Sequence, residues 1–272
     1  MKKILLLGLL AVSMVQLPLN AGCDGDSCDK SEKSGRDCLF VFGSAGGSFS
    51  RCAGICVDTS GTGSWPIVPE GYASDLGRTG VVEFGIGYDW CDWLSLIASG
   101  QYRGDYNYCI AQTEIPLFVD VDMVVSTTGT RFFSLDNQAY MFSALFDLTK
   151  AFDCDDWGFG VVIGGGIGAA HHTVYDFHTV VEQKDVDGSR FVVDVATYIR
   201  NWSFAAQAVL GLEYTACNWL TLGAGYRYFY GGDFCTRDYI SSSARRSNTI
   251  EVTPWQGSLQ ANEFYVYLYC DY

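Results

Sequence analysis

The side chains that could do chemistry are few. His171, His172 and His178 are the only histidines and lie within eight residues of one another. Imidazole is the commonest general base and metal ligand near neutral pH, and hydroxyl and carboxylate partners are plentiful, so a hydrolytic site is one reading. Adjacent residues in a strand point to opposite faces, so His171 and His172 can serve one site only if the strand has ended there. Gly164-Gly165-Gly166-Ile167-Gly168 resembles a dinucleotide loop, but neither an acidic ribose partner nor a helix pattern follows. Small residues in a curved strand explain it better. Arg103-Gly104-Asp105 spells an adhesive tripeptide, a three-residue match that arises often by chance.

The eleven cysteines form the largest reactive set: Cys23, Cys28, Cys38, Cys52, Cys56, Cys91, Cys109, Cys154, Cys217, Cys235 and Cys270. Such cysteine usage suits an oxidising compartment and makes all eleven candidates for disulfides or cross-links. An odd count leaves at least one for a lipid, a partner or a free thiol. Cys52-x-x-x-Cys56 has permissible zinc spacing but lacks a local second pair. No metal site or other cofactor is expected.

These groups must be positioned by something, and the sequence says strands. Met1-Lys2-Lys3, an apolar run from Ile4 to Val12 and a polar stretch to Asn20-Ala21 read as a secretory leader, residues 1–21, with cleavage after Ala21. Gly22-Cys23 offers a lipoprotein-like alternative. Residues 22–37 then form a periplasmic cysteine-containing segment and residues 38–272 the folded domain. Loss of Lys2 and Lys3 takes the formal charge from −14 to −16, which disfavours nucleic acid. With 49% hydrophobic and 15% aromatic residues and no later run long enough for a membrane helix, the apolar content must lie in strands or a packed core.

Period-two alternation marks eight strands: about 38–49, 82–90, 93–106, 138–148, 157–170, 204–214, 219–230 and 262–272. Connections alternate short and long: short at Cys91-Asp92, Thr149–Asp156 and Thr215–Asn218, long at roughly 50–78, 107–137, 171–201 and 231–261. The segments Val119–Val125 and Phe191–Ile199 also alternate, and either lengthen neighbouring strands or add a hairpin. The expectation is an all-β fold: an eight-stranded antiparallel transmembrane β-barrel with long extracellular loops and short periplasmic turns. A soluble β-sandwich is the competing fold.

Cys91-Asp92-Trp93, Cys154-Asp155-Asp156-Trp157 and Cys217-Asn218-Trp219 recur 63 residues apart. Each sets a cysteine in a short turn and a Trp at the next strand. Trp90, Trp93, Trp157, Trp219 and Tyr272 are thereby placed at headgroup depth. Glu83, Arg103, Glu213 and Arg227 fall on inward faces. Eight strands leave room only for side chains, so these four should pair and plug the lumen.

The last strand carries the most specific signal, with Phe264, Val266, Leu268, Cys270 and Tyr272 alternating on one face. Here the chain resembles small outer-membrane barrels of the outer membrane protein A transmembrane-domain and opacity-protein kind. The resemblance implies that this ending is read by the barrel-assembly machinery and that the partners include outer-membrane lipid. The cysteine content further resembles envelope proteins of chlamydia-like bacteria, which implies cross-links to other cysteine-rich envelope proteins. The functional expectation is a structural, surface-exposed outer-membrane barrel without enzymatic activity. A small porin is the alternative, followed by an adhesin and a lipid-modifying barrel enzyme.

Overall fold

In the computed structural model the described residues are 39–51, 56–57, 76–120, 123–152, 158–183, 190–194, 198–217, 219–235, 239–241, 249–251 and 255–271. The leader, the segment 22–37 and the residues Cys23, Cys28, Cys38, Cys52, Cys154, Trp157 and Tyr272 lie outside them.

Twelve strands follow in order: β1 (Leu39–Ser50), β2 (Cys56–Val57), β3 (Arg78–Cys91), β4 (Leu94–Asp120), β5 (Met123–Asp147), β6 (Phe159–Gln183), β7 (Arg190–Asp194), β8 (Ile199–Cys217), β9 (Leu220–Cys235), β10 (Tyr239–Ser241), β11 (Thr249–Glu251) and β12 (Trp255–Asp271). Eight of them make an antiparallel barrel in the order β1-β3-β4-β5-β6-β8-β9-β12. β1 closes on β12 from Phe40 opposite Asp271 to Ser50 opposite Ala261, so no barrel edge is left open.

Two turns are built alike. β3 and β4 join with Cys91 opposite Leu94, β8 and β9 with Cys217 opposite Leu220, and in both the register slips one step before the cysteine. The third short connection starts with a single helical turn, Leu148–Ala151, capped by the Asp147 carboxylate, which accepts from the Thr149 and Lys150 amides at 3.0 and 3.1 Å. By the asymmetry of such barrels this is the periplasmic end.

At the other end the strands outrun the membrane. A tilted spanning strand needs roughly 9–11 residues, whereas β4 and β5 have 27 and 25 and stay paired to Asp120 opposite Met123. The segment expected as a loop from Asn107 to Asn137 is therefore mainly a β-ribbon, and Val119–Asp120 and Met123–Val125 extend its two strands. β6 likewise runs on to Gln183 and pairs with β7, which begins within the expected 171–201 loop.

Alternation divides the barrel residues cleanly. Ile86, Trp90, Phe142, Ile167, Phe204, Leu212 and Val266 face outward, each more than half exposed. The inward positions carry serines, glutamines, charged residues and two apolar clusters. The glycine run serves that interior: a Cβ on Gly164, Gly166 or Gly168 would meet inward side chains of β5, Leu145, Ser143 and Met141 respectively, at 2.3–2.8 Å. Gly211 and Gly223 similarly leave space for the Tyr267 ring.

The candidate functional site in the barrel lumen

At mid-height the lumen holds two arginines and two glutamates in one connected layer. Glu263 on β12 stands directly opposite Arg227 on β9. Its carboxylate accepts from Arg227 Nε at 2.5 Å and from Arg103 Nε at 2.6 Å, with Arg103 Nη2 at 3.2 Å. Ser48 Oγ donates to it at 2.7 Å. Glu83 accepts from Arg227 Nη1 at 2.5 Å, Ser99 Oγ at 2.6 Å and Gln101 Nε2 at 2.9 Å. The Arg103 guanidinium also lies 3.3 Å from the centre of the Phe229 ring. Each charge thus has an opposite charge and further hydrogen bonds, the condition under which buried ion pairs persist.

The network continues through Gln101 and Gln207 to Ser143, and through Asn137 to His172. Ser48, Glu83, Arg103, Asn137, His172, Gln207, Arg227 and Glu263 bring in all eight barrel strands. Outward of this layer an apolar cluster containing Leu76, Tyr106, Phe133, Phe229, Phe234 and Leu259 fills the lumen. Toward the periplasm stand Phe40, Phe42, Tyr265 and Tyr267.

Three of the four expected lumen residues meet in the layer. Glu213 does not: it lies nearer the periplasmic turns and takes the Tyr267 hydroxyl at 3.2 Å instead of either arginine. Glu263, not singled out as an ion-pair residue from sequence, is the shared anion. Its signal was the inward position facing Arg227, which becomes visible only once the β9–β12 register is known.

The histidines separate as strand geometry requires. His171 faces out and packs on Trp202 with ring centres 4.9 Å apart, while His172 is wholly buried inside. Ser203, His172 and Asn137 superficially form a hydrolytic trio. Asn137 Oδ1, however, accepts from Arg103 Nη1 at 3.1 Å, which turns the amide nitrogen toward His172 Nδ1 at 3.3 Å. Nδ1 is then the acceptor and Nε2 carries the proton, 2.8 Å from the Gly231 carbonyl and 2.9 Å from Ser203 Oγ. Ser203 itself donates to that carbonyl at 2.5 Å. In this tautomer His172 has no lone pair with which to deprotonate Ser203. His178 lies apart, stacked on Phe132. No group of three metal-binding side chains occurs among the described residues.

The tripeptide is also accounted for. Arg103 is fully buried in the ion layer, and Asp105 faces outward toward the Tyr175 hydroxyl, so the two charges cannot be presented together to a receptor.

Among the described residues no two cysteines are bridged. Cys91, Cys109, Cys217 and Cys235 are free thiols. Cys56 and Cys235 both pair with Gln256, from opposite sides of β12. That puts them about 10 Å apart, beyond the roughly 7 Å reach of a disulfide. Cys91 and Cys217 sit at turns four strands apart around an eight-stranded barrel, again too far to bridge.

Outside, the belt is aromatic at both rims. Trp90, Trp93 and Trp219 are exposed near the periplasmic turns, with Trp93 stacked on Phe146 at 6.0 Å. Tyr140 and Trp202 stack at 6.1 Å toward the other rim. Phe264, Val266 and Leu268 lie on the same outward surface. A closed barrel with apolar groups outside and ions inside inverts a soluble protein and matches a bilayer. The chain is an integral β-barrel of the bacterial outer membrane.

No family model matches the chain, and no curated protein matches it in sequence. Among solved structures it is similar to Neisserial surface protein A, at 11% identity, 88% of this chain, 100% of that one and a TM-score of 0.42. It is also similar to the outer membrane protein OprG of Pseudomonas aeruginosa, at 11% identity, 84% and 96% coverage and a TM-score of 0.39. A third is the outer membrane protease OmpT of Escherichia coli, at 8% identity, 89% and 99% coverage and a TM-score of 0.35. The fold assignment stands on the barrel's own closure and surface.

Proposed function

We propose that this protein is a structural, surface-exposed element of the outer membrane, sealed rather than conducting, and tied to other cysteine-bearing envelope proteins through thiols at its periplasmic turns. The observation that carries the reading is the buried layer of Arg103, Arg227, Glu83 and Glu263, whose hydrogen-bond network reaches every barrel strand and which stands where a pore would have to pass. The geometry of His172 argues against a lipid-modifying hydrolase, and the burial of Arg103 against adhesion through its tripeptide. Its partners on this reading are outer-membrane lipid, the barrel-assembly machinery engaged by the last strand, and periplasmic or envelope proteins with accessible cysteines.

Cys91 and Cys217 support the cross-linking half of the proposal, because they occupy equivalent turns at the periplasmic rim and cannot pair with each other. A cross-link forms by exchange: the turn thiolate attacks a disulfide carried by the partner, a new S–S bond forms, and the displaced sulfur leaves as a thiolate.

The test is migration of the outer-membrane protein on gels, heated and unheated, with and without reductant. The expected result is heat-dependent migration together with high-mass species that reductant collapses to monomer and that diminish in a Cys91→Ser/Cys217→Ser variant. A heat-modifiable monomer indifferent to reductant would remove the cross-linking role. A soluble, unshifted monomer would remove the membrane role as well.

A further inference from the structure

Beneath the ion layer, on the periplasmic side, the lumen holds a small cavity of about 20 Å3, room for a water. Its polar lining includes Ser143, Gln207, Arg227, Tyr265 and Tyr267. Arg227 is 1% exposed, and two of its three guanidinium nitrogens are committed, Nε to Glu263 and Nη1 to Glu83. Nη2 is buried beside the cavity with no hydrogen-bond acceptor among the described residues. A buried donor on a charged group is rarely left without a partner, because the lost hydration is not recovered.

The geometry points to a built-in water site here, with water held between Arg227 Nη2 and the hydroxyls of the cavity wall. Ser143 Oγ accepts from Gln207 Nε2 at 2.9 Å, which leaves its own proton for a further acceptor. A water can take both this proton and that of Nη2. The ligand is water rather than an ion because the layer above is neutral, two arginines against two glutamates, and offers no net charge to bind. A buried water needs about two to four polar partners, and the wall supplies them.

Hydration on this inference is one-sided. It lies on the periplasmic side of Arg227 and does not pass it, because the next layer outward is the apolar cluster around Tyr106, Phe133 and Leu259. The barrel interior is then hydrated beneath the ion layer and dry above it. This is independent of the cross-linking role, since neither Cys91 nor Cys217 takes part.

X-ray hydroxyl-radical labelling of the folded protein in lipid nanodiscs tests it, because water activated in place marks the side chains it touches. Tyr265 and Tyr106 are 7% and 0% exposed, so both should react slowly if the lumen is dry. The inference predicts that Tyr265 reacts at least several-fold faster than Tyr106. A Val209→Phe change, which narrows the cavity from β8, should slow labelling of Tyr265 in barrels that remain heat-modifiable. Equal, slow labelling of Tyr265 and Tyr106 in the natural protein would overturn the inference, as would unchanged Tyr265 labelling in folded Val209→Phe barrels.

Discussion

Glu263 is the residue on which the interior turns. One carboxylate compensates both Arg103 and Arg227, and its replacement leaves Arg227 with Glu83 and Arg103 with only the amides of Gln101 and Asn137. Removing one member of a buried ion pair typically costs about 3–5 kcal/mol. Glu263→Ala is therefore expected to lose stability on that scale in urea unfolding from lipid. Glu213→Ala gives up hydrogen bonds to Tyr267 and Tyr269 but no arginine partner, so its expected loss is smaller, about 1–2 kcal/mol. Equal losses for the two variants would mean that the layer is not the organising contact. Glu83, Arg103 and Arg227 were legible as lumen residues because their parity relative to lipid-facing neighbours is visible in single strands. Which residues pair was not legible, because that depends on register between strands distant in sequence. Arg103 and Glu263 are 160 residues apart, and no local pattern encodes their meeting.

At the scale of the element, glycine placement explains how long strands of mixed residues curve around a filled interior. Gly168 lies on the inward face of β6, and a Cβ there would stand 2.0 Å from the Tyr140 carbonyl oxygen and 2.8 Å from Met141 Sδ. Because the first contact is backbone, rotamer changes cannot relieve it. Gly100 on β4 faces outward, with nothing within 4 Å of its Cβ position. Gly168→Ala is expected to lower the yield of the compact, heat-modifiable form severely, and Gly100→Ala to leave it near that of the natural protein. Similar yields would show that the tight interior register of β5 and β6 is wrong. The eight spanning strands were readable because lipid enforces strict alternation. The outer halves of β4 and β5 were not, because beyond the membrane one face no longer has to be apolar. The 107–137 stretch therefore resembled a loop.

For the whole molecule, the decisive contrast is between a wall and a conduit. The outside is an apolar band bounded by Trp90, Trp93 and Trp219 at one rim and Tyr140 and Trp202 at the other. Inside, three levels succeed one another: an apolar plug toward the exterior, the charged layer, and a tyrosine-lined cavity toward the periplasm. An ion crossing this interior would have to displace the plug as well as break the pairs of Glu263. The measurement that tests sealing most directly is the conductance of purified protein in planar lipid bilayers. The account predicts no sustained conductance steps for the natural protein, with steps appearing in a Glu263→Ala/Leu259→Ala variant that opens both layers. Stable, frequent steps from the natural protein would contradict it and make the barrel a small pore.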